Sequence, residues 1–67
     1  SWDAKRWIQG MLYDASPDVR VRAAQYIAAT HYLPFLSNLR SAYRSETDES
    51  TKIKLGEELN KLEALLP

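Results

Sequence analysis

The sequence predicts an all-α fold, four antiparallel helices arranged as two helical hairpins in a short α-solenoid. Three observations carry that prediction. Apolar side chains recur at spacings of three and four, proline and capping residues interrupt the pattern at short intervals, and the pattern falls on itself after 32 positions. Strand-like alternation is missing from the readable segments.

The first helix is expected over about residues 2–13. Ala4, Trp7, Ile8, Met11 and Leu12 follow the stripe of a helix with one buried face. Ser16 then reads as an N-cap and Pro17 as the first helical residue, where its missing N–H costs nothing. Asp18 suits the positive end of the helix dipole. The second helix therefore covers about residues 17–30. "HYLP" interrupts the chain, because Pro34 disfavours the α conformation at Leu33. A third helix runs from Pro34 to about Arg44 with Leu36, Leu39 and Tyr43 on one side. "SETDES" is a polar turn offering Thr47 and Asp48 as caps. The fourth helix is expected to reach about Leu66, with Leu55, Leu59, Leu62 and Leu66 in a row.

A shift of 32 positions superposes the two halves, about 1–32 and 33–67. "VRVR" at 19–22 lies over "TKIK" at 51–54, Trp7 meets Leu39, Met11 meets Tyr43, and Ile27 meets Leu59. Small residues match as well, Ala24 over Gly56 and Gly10 over Ala42. Glycine inside a helix costs about 1 kcal/mol relative to alanine. Two such positions, beside an alanine-rich second helix, imply that neighbouring helix backbones approach closely there. Helix pairs repeating with a period in the thirties are the mark of an α-solenoid.

The segment "SPDVRVRAAQYI" resembles the second helix of a HEAT repeat, through Pro17, Asp18, Val19, Arg20, Ala23, Ala24 and Ile27. "LPFLSNL" resembles the opening of a HEAT first helix. The resemblance is good over residues 14–44 and weak in "ESTKIKLGEEL", which lacks the Asp-Val-Arg hallmark, as a terminal or divergent repeat would. It is closest to the short HEAT-like repeats also seen in phycobilin lyase subunits. It implies a binding or scaffolding module within a larger protein, a reading that a start at Ser1 rather than Met also suggests.

Composition narrows the function classes. The 67 residues suit one small domain, which buries only about 60% of the surface its unfolded chain exposes. Cysteine is absent, so neither disulfides nor thiolate metal sites can form. No apolar run approaches the roughly 18 residues of a membrane-spanning helix. Formal net charge is zero, but residues 1–45 hold six basic and three acidic side chains, and residues 46–67 the reverse. Nucleic-acid binders usually carry a denser basic surplus, and the ordinary reading of so mild an asymmetry is a solvated surface.

Catalytic and cofactor signals are lacking. His31 stands alone, without the second ligand that a zinc site needs, and suits the end of the second helix. Glu46, Asp48 and Glu49 lack the glycine and spacing of a calcium loop and read as a solvated turn and cap. Gly10 and Gly56 both fall inside helices, so no phosphate loop exists. No enzyme activity and no cofactor are expected.

Among the aromatic residues, Trp7, Phe35 and Tyr43 are expected in the core. Trp2 and Tyr13 lie off the first stripe, where they either cover a solenoid end or form a contact patch. The leucines of the fourth helix also make a short seam that a dimer could use, although it spans less than the heptads a coiled coil sustains.

The expected function is protein binding. On a helical wheel the core side of the second helix centres on Val19, Ala23 and Ile27, leaving Arg22, Gln25 and Ala29 outward. The fourth helix turns Leu55, Leu59 and Leu62 inward and Lys54, Glu57 and Lys61 outward. Arg22, Gln25, Lys54, Glu57 and Lys61 are thus the expected partner-binding row on the inner face, with Glu57 and Lys61 as an i,i+4 pair. The alternatives are a nucleic-acid contact through Arg20, Arg22, Arg40 and Arg44, and the accessory subunit of a cofactor-attaching enzyme. The latter rests on the family resemblance alone.

Overall fold

The computed structural model describes residues 2–67, with side chains from Ala4 onward. All the regular structure in it is helical: α1 (Trp2–Met11), α2 (Pro17–Thr30), a 3-10 turn (Leu33–Phe35), α3 (Leu36–Ser45) and α4 (Glu49–Glu63). The Cα envelope measures 29 × 28 × 16 Å. The most extensive helix contacts are α2 on α4 and α3 on α4, with α1 lying on α2.

Each helix end follows from local chemistry. Asp48 caps α4: its Oδ2 accepts the Thr51 amide at 3.0 Å, the Thr51 hydroxyl at 2.6 Å and the Ser50 hydroxyl at 3.0 Å. These bonds, led by the Thr51 hydroxyl, hold the Asp48 carboxyl below its ordinary pKa. Ser16 takes the N-cap position of α2 with extended backbone and Pro17 next to it, but its hydroxyl makes no capping bond. The turn is closed instead by Asp14, whose Oδ2 accepts the Ser16 amide at 2.8 Å. His31 ends α2 in the left-handed conformation (φ 55°), with its N–H on the Ala28 carbonyl. Three expected bounds change. α1 ends at Met11 and not near residue 13. Pro34 lies within the 3-10 turn, so α3 begins at Leu36, and α4 stops at Glu63, leaving Leu66 outside it and exposed.

The core joins all four helices. It contains Leu12 from α1's end, Ala23, Ala24 and Ile27 from α2, Phe35, Leu36, Leu39 and Ala42, and Leu55, Leu59 and Leu62 from α4. Ala23, Ala24 and Ala28 are all buried, so the alanine-rich middle of α2 does sit at a crowded helix contact. The buried side of α2 centres on Ala23, Ala24, Ile27 and Ala28; Val19 is only half-buried. Three of the four seam leucines are consumed by the chain's own core, which removes the dimer seam as a free surface.

Trp7 departs from expectation. It is 73% exposed, and Ala4 is exposed beside it. The apolar stripe of α1 is wider than the surface α2 covers, so Ile8, Met11 and Leu12 pack inward and the Trp7 edge is left out. Phe35 is buried and Tyr43 packs against the core, as expected; Tyr13 is exposed. The side chain of Trp2 lies outside the described residues.

The glycines differ from each other. A Cβ on Gly56 would sit 3.0 Å from the Tyr43 ring, so a side chain approaches there and not the neighbouring helix backbone that was expected, whereas one on Gly10 would meet nothing within 4 Å. Gly10 thus has no packing reason, and Gly10→Ala is expected to stabilise the chain by about 0.5–1 kcal/mol. Gly56→Leu must displace the ring and should destabilise by about 1–3 kcal/mol. Asn60→Leu at an exposed α4 position should change little. Urea midpoints of the three variants check this; equal midpoints for Gly56→Leu and Asn60→Leu would contradict it.

Candidate interaction surfaces

The strongest polar contact in the fold binds turns together. The Arg20 guanidinium grips Glu46 with both arms, Nε to Oε1 at 2.7 Å and Nη2 to Oε2 at 2.9 Å. Its third nitrogen, Nη1, donates to the Asp14 carbonyl at 2.7 Å and the Ala15 carbonyl at 3.2 Å. One side chain of α2 therefore joins the α1–α2 turn to the α3–α4 turn, as only a planar fork can do. The Glu46 side chain is 4% exposed and that of Arg20 17%. Donation from Arg20 holds the Glu46 carboxyl below its ordinary pKa, against the opposing effect of burial. Expecting Glu46 to be a solvated turn residue was therefore incorrect.

The outward row is found where the wheel puts it. Arg22, Gln25, Lys54, Glu57 and Lys61 are all exposed. Lys61 differs in its partner: it pairs with Glu58 at 3.2 Å, three residues back, and not with Glu57. Glu58 itself is buried, which the wheel did not indicate.

Three further basic side chains are engaged within the chain. Arg40 pairs with Glu63 at 2.9 Å, Lys5 donates to the Tyr32 hydroxyl at 3.1 Å, and Lys52 lies 5.0 Å from the centre of the Tyr43 ring. Of the four arginines considered for phosphate contact, Arg20 and Arg40 are neutralised by carboxylates, and Arg22 and Arg44 are not.

A second surface is apolar. Trp7, Ile8 and Met11 of α1 and Arg22, Ala23 and Tyr26 of α2 line an open groove of about 390 Å³. It continues past Ala4 and Tyr26 towards Thr30 and Tyr32. Trp7 and Tyr26 (55% exposed) are its walls.

Among the described residues, no three His, Asp or Glu side chains gather in a way that could hold a metal ion. No helix among the described residues is long and apolar enough to cross a membrane. Compared with protein-family models, curated proteins and solved structures, the chain matches none.

Proposed function

We propose that this chain is a HEAT-like helical repeat module without catalysis of its own, and that it binds protein through the outward row of α2 and α4. One observation supports the row above all. Lys61 of the row is paired with Glu58. Arg22, Lys54, Arg6 and Arg44 have no ion-pair partner among the described residues, but only Arg22 and Lys54 stand at the same repeat position, on helices that lie against each other. Gln25 and Glu57 repeat this pattern one turn on. A pair of free cations with alternating polar neighbours suits a protein surface bearing acids. Phosphate binding is less favoured, because the guanidinium groups of Arg20 and Arg40 are already neutralised.

Reversing Arg22 and Lys54 to Glu together tests the row. Lys5 touches Tyr32 and is unsuitable as a control, so Arg6 and Arg44, both exposed and outside the row, are reversed instead. Both double variants should keep their circular dichroism. A photo-crosslinker at Gln25 should capture a protein partner, and the inner reversal should weaken that binding at least roughly tenfold, about 1.4 kcal/mol. Loss of binding in the control but not in the inner reversal would refute the assignment. Binding that falls steeply with salt and is competed by DNA would instead indicate phosphate recognition.

A further inference from the structure

The 32-residue shift pairs positions whose sequences match but whose surroundings do not. Trp7 is exposed on the first half, while Leu39, its counterpart, is fully buried. Ala4 is exposed where Leu36 is 7% exposed, and Tyr26 is exposed where Glu58 is 7% exposed. The difference has a visible cause. α2 lies against α4, and α1 reaches the start of α3 through Gln9 Nε2 on Asn38 Oδ1 at 3.2 Å. The first half thus covers these positions on the second half. On the first half the counterparts Trp7 and Tyr26 wall the open groove, and no described residue covers them.

The turns repeat the same relation in polar form. Asp14 Oδ2 accepts the amide of Ser16, and Glu46 Oε2 accepts the amide of Asp48 at 3.1 Å, 32 positions on. The two acids therefore have the same local geometry. Glu46 also receives Arg20 from the covering half, whereas the Asp14 carboxylate, although it lies in the field of Arg20, has no cation within ion-pair distance among the described residues.

We propose that the open α1–α2 side takes one further helical hairpin of the kind residues 1–32 form, with its apolar side on Trp7 and Tyr26 and an arginine, placed as Arg20 is, on Asp14. This rests on the repeat reading made above and concerns the α1–α2 groove, which shares only Arg22 with the charged row. A head-to-tail second copy fits less well. The surface it would present carries the Arg40–Glu63 pair where the first half has Ile8 and His31, and a lysine already held on Tyr43 where the first half has Arg20. The half-buried position of Ile8 would be taken by an arginine already paired with Glu63, and desolvating that pair costs energy.

The test supplies the hairpin in cis. Residues 1–32 are duplicated directly ahead of the whole chain, which preserves the 32-residue register. Trp2 and both tryptophans of the added copy are changed to Phe, so that Trp7 of the original chain is the only tryptophan. We expect the added segment to be helical, the Trp7 emission to move to the blue, and its quenching by acrylamide to fall several-fold relative to the unextended chain. Asp14→Asn, which can still accept the Ser16 amide, should lower the urea midpoint of the extended chain and leave that of the unextended chain nearly unchanged. An added segment without helix, Trp7 equally quenched, or an Asp14→Asn effect equal in both chains would overturn the proposal. So would concentration-dependent protection of Trp7 in the unextended chain, which would make a second copy the occupant. None of these outcomes depends on Arg22 and Lys54 binding a partner, so the two readings can fail separately.

Discussion

Leu39→Ala is expected to remove most of the stability of this chain, whereas Trp7→Ala, at the matching position of the other half, should leave it nearly unchanged. Leu39 has no exposed surface and sits in the core with Leu36, Ala42, Leu55 and Leu59. Truncating a buried leucine costs about 2–5 kcal/mol through lost transfer energy and the cavity left behind. A domain of this size has a total stability of roughly 3–10 kcal/mol, so the variant should lose its cooperative transition or shift its urea midpoint by more than about 1 M. Trp7 is largely in water already, and its removal uncovers little. Helicity at 222 nm through a urea titration measures both. Equal losses in the two variants would mean that the indole is packed, contrary to the exposed groove.

The second large effect belongs to Arg20 and Glu46. Arg20→Ala should destabilise more than Arg40→Ala, because it leaves a buried carboxylate without its partner and frees two carbonyls as well, while the Arg40–Glu63 pair is well exposed. Arg20→Lys should lie in between, since a single ammonium cannot span both carboxylate oxygens and the turn.

The pair also fixes the direction of the pH dependence. The Glu46 and Asp48 carboxyls are held below their ordinary pKa values, so the unfolded chain binds their protons more readily than the folded one. Their stabilisation is fully present above the unfolded values, near pH 4, and is lost as pH falls through the folded values. Wild type should therefore be flat from about pH 7 to 5 and weaken below pH 4. Glu46→Gln should lie below wild type at neutral pH and converge with it in acid, and the residual acid loss in that variant should come from carboxylates such as Asp48. A gap that stays constant between pH 7 and 3 would show that the pair contributes nothing through its charge.

Several elements were legible from local chemistry. Pro17 after Ser16 set the start of α2, Asp48 the start of α4, and the three- and four-residue spacing of Leu55, Leu59 and Leu62 the buried side of α4. These follow from backbone constraints and helix periodicity, which act within one or two turns, so they can be read along the chain. The exposed row of Arg22, Gln25, Lys54, Glu57 and Lys61 was legible for the same reason, because a helix that buries one side must expose the other. What the sequence could not decide was which apolar residues find a neighbour. Trp7 and Leu39 carry equivalent positions in equivalent stripes, yet one is in water and the other in the core, because burial depends on what packs across from a side chain. The same holds for the charges. Glu46 and Glu49 look alike in "SETDES", but only Glu46 meets Arg20, which is 26 residues away and is brought there by the contact of α2 with α4. Local rules set where the helices begin and which sides they bury; the packing of the helices on one another decided that Arg20 neutralises Glu46 and that the Trp7 side stays open.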